Sequence, residues 1–497
     1  MLPTFFSSLV EVLEPTTLGL MLLGVAIGFL VGILPGLGGS VTLALMLPFT
    51  YNMQPVEAFA FLLGISVVTS TAGDITSVLF GIPGEATSAA VVLDGYPMAR
   101  RGEAGRALGA VLFSSVLGAW LGALALAASI PIIRPVVLAL GPPEFFVLTL
   151  LGLAFIATLS GRNIGKGLVM ACLGLLVAAV GIDPQAGIPR YVFGQLYLWD
   201  GINIVPLVVG LFGGAEVLQI MLSKQSIAGE GADVTSGLSG VRTGITDTLR
   251  HWRVVIRASL IGIGIGVVPG MGGSVAQFVA YGQAQQSSKR PELFGKGSIE
   301  GVIAAGANNN AKDSGSLIPT IAFGIPGSVA SAVLLSAFLI TGLTPGPEML
   351  TSQLNVTFSM VWVTVLANIV AVMVAFALLK PLTRLTFISG PLLVPFLLIV
   401  LGLGAFTASN SFADVMVMLV AAGVGVAAIR WDWPRVPFLL AVVLGGIAER
   451  YLFLSYSLFG WAWLTRPIVL LLFAILALLA LRQVLVARRR DRGAVNT

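Results

Sequence analysis

Pro35-Gly36-Leu37-Gly38-Gly39-Ser40-Val41 interrupts a hydrophobic run extending from Leu30 to Pro48, and Pro269-Gly270-Met271-Gly272-Gly273-Ser274-Val275 repeats it in the second half of the chain. Proline removes a backbone donor and glycine relaxes φ, so each stretch predicts a helix break at about membrane depth. Unpaired peptide groups are costly in hydrocarbon. A break of this kind survives only where it is buried in protein or lines a polar cavity. Half-helices starting near Ser40 and Ser274 would turn their N-terminal amides and positive dipole ends into that cavity, a setting that suits a carboxylate. A single break reads equally well as close helix packing through small residues. Two in matching positions favour a site.

A second motif also recurs. Phe80-Gly81-Ile82-Pro83-Gly84 returns as Phe323-Gly324-Ile325-Pro326-Gly327. Arg134 before Gly141-Pro142 parallels Arg384 before Gly390-Pro391, and Gly213-Gly214-Ala215-Glu216 resembles Gly445-Gly446-Ile447-Ala448-Glu449. The order is the same in both halves, as duplication with small insertions would leave it. The expected organisation is a first transmembrane repeat over 15–222, a cytoplasmic connector over 223–244, a second repeat over 245–487 and a basic cytoplasmic tail over 488–497. A first half that starts outside and a second that follows a cytoplasmic connector would be inverted, and such halves suit alternating access around a central site. Gly81, Pro83, Gly84, Gly324, Pro326 and Gly327 are the expected hinges or helix breaks.

Composition supplies the membrane. Of 497 residues, 57% are hydrophobic and 10% charged, and the mean hydropathy is +0.99. Soluble domains carry roughly 25% charged residues, so this chain cannot cover itself with a water-facing surface. Apolar windows such as Leu108–Ile130, Ile204–Leu222, Phe358–Leu379 and Pro467–Val486 predict an all-α polytopic protein with roughly ten to thirteen crossings. Arg100, Arg101 and Arg106, the basic residues of the connector region, and Arg488, Arg489, Arg490 and Arg492 mark the cytoplasmic side. The N-terminus, with Glu11 and Glu14 and no Lys or Arg before Arg100, should lie outside and lacks the basic start of a signal peptide.

The same reading removes other functions. The single Cys172 and single His251 exclude a disulfide framework and a Cys- or His-based metal site. The net charge of +5 reflects loop topology and not nucleic acid. No phosphate-binding Gly-x-x-x-x-Gly-Lys-Ser/Thr occurs, and Gly262-Ile263-Gly264-Ile265-Gly266 lies in an apolar helix, where it reads as packing. Glu216 and Glu449 read as capping or interhelical pairing, and Trp431, Trp433, Trp461 and Trp463 as interfacial anchors.

Each Gly-Ile-Pro-Gly is preceded by a polar cluster: Thr69–Ser77 around Asp74 in the first half, and Asn308-Asn309-Asn310-Ala311-Lys312-Asp313-Ser314-Gly315-Ser316 in the second. Ionisable residues inside membrane segments mark an ion or substrate path. The expected substrate contacts are Pro35, Gly36, Gly38, Gly39, Ser40, Pro269, Gly270, Gly272, Gly273, Ser274, Asn309, Asn310 and Lys312. The expected coupling-ion ligands are Thr71, Asp74, Thr76, Ser77, Asp313, Ser314 and Ser316, with Na+ the only metal in view. For Lys312, a pair with Asp313 or another carboxylate stands level with substrate contact. A channel or uncoupled anion facilitator and an intramembrane aspartyl protease are the alternatives, the latter weakened by the absence of Gly-x-Gly-Asp.

Pro-Gly-x-Gly-Gly at 35–39 and 269–273, Gly-Ile-Pro-Gly at 81–84 and 324–327, and Asn-Asn-Ala at 309–311 resemble the large membrane subunit, the TctA family, of the tripartite tricarboxylate transporters. The resemblance covers nearly the whole chain. It implies a secondary transporter of the bacterial inner membrane for a tricarboxylate or related organic acid, coupled to Na+ or H+, with no cofactor. It also implies two partners, a small four-helix membrane subunit and a periplasmic solute-binding protein. One departure stands out: many sequences resembling this pattern carry an acidic residue where this chain has Gly306.

Overall fold

The apolar runs are helices. The computed structural model describes residues 1–33, 38–159, 164–183, 187–222, 240–269, 273–378 and 390–478. Pro35, Gly36, Gly270, Gly272, Arg384, most of the connector and the basic tail lie outside those residues. In chain order the helices are α1 (Leu2–Val12), α2 (Pro15–Gly32), α3 (Gly39–Met46), α4 (Pro55–Phe80), α5 (Ala89–Met98), α6 (Ala104–Ala139), α7 (Pro142–Leu159) and α8 (Ile164–Ala178). A short hairpin, Gly181–Ile182 against Pro189–Arg190, is the one pair of strands among the described residues. Then come α9 (Ile204–Val208), a π-helical turn, α10 (Ala215–Leu222), α11 (Val241–Arg250), α12 (Trp252–Val267), α13 (Gly273–Ser287), α14 (Ile299–Phe323), α15 (Val329–Ile340) and α16 (Leu354–Ala377). The helices Gly390–Ser409, Phe412–Arg430, Arg435–Phe459 and Pro467–Leu478 complete the chain.

Among the described residues, 6 helices are long and apolar enough to cross a membrane, and shorter apolar helices accompany them. The protein is an all-α polytopic membrane protein. α14 is too polar to count among the 6, yet nearly all of its residues are buried. The centre of the molecule is therefore its most polar part, with apolar helices outside. Both expected breaks occur: α2 ends at Gly32 and α3 starts at Gly39, and α12 ends at Val267 and α13 starts at Gly273. The half-helices thus begin one residue before Ser40 and Ser274. α4 and α14 both stop on glycine in the left-handed region, Gly81 at φ 67° and Gly324 at φ 68°, where a side chain would be strained.

Glycine spacing brings the central helices together. On α2, Gly28 and Gly32 lie against Ile65 and Thr69 of α4, and on α12, Gly262 and Gly266 lie against Asn308 and Lys312 of α14. Gly262 and Gly266 thus pack as the sequence suggested. Gly306 faces α6, where an added Cβ would meet Ser114 Oγ at 2.5 Å and the Val111 carbonyl at 2.6 Å. An acidic side chain has no room there in this packing.

Charged pairs tie the two sequence halves reciprocally. Glu216 accepts from Arg435 at 2.8 Å, and Glu449 accepts from both terminal nitrogens of Arg190 at 2.6 and 3.1 Å. Glu216 is an interhelical partner, one of the roles expected of it, whereas Glu449 ties its helix to the Pro189–Arg190 strand of the hairpin. The His251 ring bridges Asp247 O at 2.8 Å and Glu300 at 3.4 Å. α11 begins at Val241, inside the expected connector, and Thr248 donates to Ala110 O of α6 at 3.3 Å. Trp431 and Trp461 are exposed, in keeping with interfacial anchors, but Trp463 is 4% exposed. It packs edge-on to Phe146 at 5.5 Å and belongs to the core.

Gly264 has open space beside it, whereas a side chain at Gly266 meets the α14 backbone. Gly266→Leu is expected to cost about 1–3 kcal/mol through forced separation of α12 and α14, while Gly264→Leu leaves stability unchanged. Thermal unfolding of the purified full chain checks the contrast.

Candidate functional site

The starts of α3 and α13 and the segments that follow α4 and α14 meet at one cavity of about 730 Å³. From the first half come Gly38, Gly39 and Ser40 at the start of α3, and Pro83, Gly84 and Glu85 after α4. From the second come Gly273 at the start of α13, Lys312 and Asp313 of α14, and Ser328 before α15. Ser66, Ser70 and Thr87 add hydroxyls, and Glu216, Asp432 and Arg435 form another part of the wall. Carboxylates, one ammonium, one guanidinium, hydroxyls and helix-start amides therefore share a single polar chamber within an apolar protein.

The chain reaches this geometry through close backbone contacts. Gly84 lies on Gly73 and the Gly32 carbonyl, and Gly327 lies on Ser316 and the Gly266 carbonyl. In each half, then, the Gly-Ile-Pro-Gly end is folded back onto its own polar helix and the helix before the break. Side chains larger than hydrogen at Gly84 or Gly327 would push the cavity rim outward. At the α3 start, the Gly39 amide donates to Glu85 Oε2 at 3.2 Å, and Thr87 Oγ1 donates to Glu85 Oε1. Across the cavity, Lys312 Nζ donates to Asp313 Oδ1 at 2.8 Å and Ser70 Oγ donates to Asp313 Oδ2 at 3.3 Å.

The residues expected at the site divide into two groups. Gly38, Gly39, Ser40, Gly273, Lys312 and Asp313 line the cavity. Pro269 is described but does not line it, and the side chain of Ser274 lies outside the described residues. Asn309 and Asn310 are 0% and 2% exposed and sit behind the cavity wall. Asn309 Nδ2 donates to both carboxylate oxygens of Asp74, at 3.3 and 3.2 Å, and Asn310 Nδ2 donates to Thr71 Oγ1 at 3.1 Å and to Asn368 Oδ1. In this conformation they join α4, α14 and α16, and neither lines this cavity.

The expected ion ligands divide likewise. Thr71, Thr76 and Ser77 donate to carbonyls of their own helix, at Val67, Gly73 and Gly73 respectively. Asp74 is wholly buried and faces Asn309. Ser316 bonds Ser331 at 2.7 Å, and Ser314 Oγ is buried with no partner. The side-chain oxygens of Asn308, Asn309 and Asn310 are also buried and unpartnered, and of these three residues Asn309 is the one that faces the Asp74 carboxylate. Among the described residues no group of three or more His, Cys, Asp or Glu could hold a metal ion.

Sequence reasoning passed over Glu85, Thr87, Ser66, Ser328 and Arg435. Glu85 had a usable signal: it directly follows the first Gly-Ile-Pro-Gly, where Ser328 follows the second. Arg435 had none, because only the folded chain places it opposite Glu216.

The family model described as Tripartite tricarboxylate transporter TctA family matches residues 18–440. The chain belongs to the TctA family. Both copies of Pro-Gly-x-Gly-Gly and of Gly-Ile-Pro-Gly and every cavity-lining residue lie inside that span, and the 445–449 motif lies just beyond it. The chain is therefore a component of a transporter and not an enzyme. It is similar to an uncharacterized 52.8 kDa protein in the TAR-I ttuC' 3'region of Agrobacterium vitis, 34% identical over 88% of this chain and 87% of that one. It also resembles an uncharacterized protein in the TAR-II ttuC' 3'region of the same organism, 32% identical over 38% of this chain and 78% of that one. No solved structure matches it.

Asn309→Ala removes the donor that faces the wholly buried Asp74. Leaving a buried polar group without its partner costs about 1–3 kcal/mol, more when it is charged. A double-mutant cycle with Asp74→Asn, read by thermal unfolding, should give a coupling energy of roughly 1 kcal/mol or more. Strict additivity would show that the pair contributes nothing.

Proposed function

We propose that this subunit carries a tricarboxylate or related organic acid inward through the cavity between the two breaks, driven by a Na+ or H+ gradient. One observation carries the reading: the starts of α3 and α13 and the Lys312 ammonium face one polar chamber of about 730 Å³. Helix-start amides and an ammonium are what a buried carboxylate requires, because a carboxylate without donors is costly to desolvate. Ser40 and Lys312 bind substrate in this reading, with the backbone of both breaks. Asp74 or Asp313, with the neighbouring hydroxyls and the unpartnered asparagine oxygens, takes the coupling ion.

The contacts between α4 and α14 support an inverted internal repeat. Ser70 meets Asp313, and one turn along α4 Asp74 meets Asn309, one turn earlier on α14. The corresponding helices of the two halves therefore cross antiparallel. Such a relation lets the chamber open to either side by exchange of roles. Arg106 pairs with Asp247 at 2.7 Å, so the basic loop before α6 and the basic start of the second half share one end of the molecule. That end is cytoplasmic under the positive-inside rule, with the N-terminus periplasmic in the inner membrane. The remaining components in this reading are a small four-helix membrane subunit and a periplasmic binding protein that hands over the acid.

Uptake of radiolabelled citrate into proteoliposomes holding the assembled transporter tests this. Lys312→Gln and Ser40→Ala should each raise KM, Lys312→Gln by roughly 10- to 100-fold, the range for a lost charged hydrogen bond. Imposing a Na+ gradient alone, then a proton gradient alone, names the coupling ion. Unchanged KM in both variants would sink the substrate assignment, and flux without saturation or gradient dependence would make the protein a channel.

A further inference from the structure

The cavity wall carries more negative than positive charge. Of its ionisable side chains, Arg435 pairs with Glu216 at 2.8 Å and Lys312 pairs with Asp313 at 2.8 Å. Glu85 and Asp432 remain, with no cation in salt-bridge contact among the described residues. Asp432 is exposed. Glu85 is half-buried and engaged with the site itself: one oxygen accepts the Gly39 amide at 3.2 Å and the other accepts Thr87 Oγ1. The α3 start therefore already holds a carboxylate, and that carboxylate belongs to the protein.

A substrate carboxylate and the Glu85 carboxylate compete for the same donor, and like charges at such separation repel. The second half shows that the fold does not require this arrangement. There Ser328 stands after Gly-Ile-Pro-Gly and caps its own helix, accepting from the Ser331 amide at 3.1 Å. The start of α13 at Gly273 lies instead against the methylenes of Lys312 and the methyl of Thr87. Glu85 is thus a charge that the first half adds at one of the two helix starts where an organic acid would be bound.

We propose that Glu85 is a tethered competitor for the substrate: its carboxylate holds the Gly39 amide until a carboxylate of the organic acid displaces it. The proposal rests on the reading of the cavity as the acid site. It gives that site a specificity device. A substrate must offer enough contacts elsewhere in the chamber to offset the loss of the Glu85 contact, so a monocarboxylate that bonds only the α3 start is rejected. Displacement also frees the 81–85 segment from α3, coupling occupancy to the loop between α4 and α5.

Purified full-length protein in lipid nanodiscs is titrated with citrate and with acetate, read by calorimetry and by thermal shift, for wild type, Glu85→Gln and Glu85→Ala. Both variants should bind citrate about threefold or more tighter than wild type, the size of a charge effect at a helix start. Glu85→Ala should gain an acetate-dependent rise in Tm that wild type lacks. Citrate affinity unchanged or weakened in both variants, without an acetate response, overturns the proposal and makes Glu85 a structural cap or a direct substrate contact. Should citrate bind to none of the proteins while acetate stabilises Glu85→Ala alone, the displacement stands and the tricarboxylate reading falls. Glu85→Gln keeps the side-chain shape and carries the test if Glu85→Ala fails to fold.

Discussion

A peptide group in hydrocarbon with no hydrogen-bond partner costs several kcal/mol, and much of this architecture follows from that cost. The chain contains two stretches, after α2 and after α12, where proline and glycine stop the helix within a hydrophobic run. They cannot face lipid, so other elements must enclose them. α4 and α14 are both buried along nearly their whole length. Because they face protein and not lipid, they can carry the aspartates, asparagines and lysine that a lipid-facing helix excludes. The polar centre is a consequence of the breaks.

The glycines that bring α2 onto α4 and α12 onto α14 have a second consequence. Close approach removes the space that side chains would fill, so the helices lock by backbone contact and the remaining polar side chains point along the crossing. Asn309 reaches Asp74 and Asn310 reaches Thr71 across a different pair, α14 and α4. Their burial behind the cavity wall distinguishes a lock between helices from a wall that touches solute. Residues one turn apart on α14 therefore differ in role: Lys312 and Asp313 reach the chamber, and Asn309 does not.

The two Gly-Ile-Pro-Gly segments match in backbone and differ in the charge that follows them. Gly81 and Gly324 end their helices in the same conformation, and Gly84 and Gly327 make corresponding contacts. Yet Ser70 of the first half faces Asp313, the residue 243 positions later, and Glu85 corresponds to Ser328. The first half presents a carboxylate at the α3 start and the second presents Lys312 beside the α13 start. The chamber is electrically asymmetric although the Gly-Ile-Pro-Gly ends beside it have the same backbone conformation.

The all-α polytopic class, both helix breaks, the glycine packing of Gly262 and Gly266, and the interhelical pairing of Glu216 were legible in the sequence. They depend on local rules: hydropathy over a helix length, proline and glycine at fixed positions, and motif repetition. Which polar residues share a space is a different matter, because it depends on helix rotation and crossing, and neither is written in local spacing. Asn309 and Lys312 look alike in sequence as polar residues on a central helix, and Trp463 looks like its exposed neighbour Trp461. Only the packed structure turned Asn309 toward Asp74, sent Lys312 into the chamber, buried Trp463 and set Glu85 on the Gly39 amide, since each outcome is fixed by contacts between segments far apart in the chain.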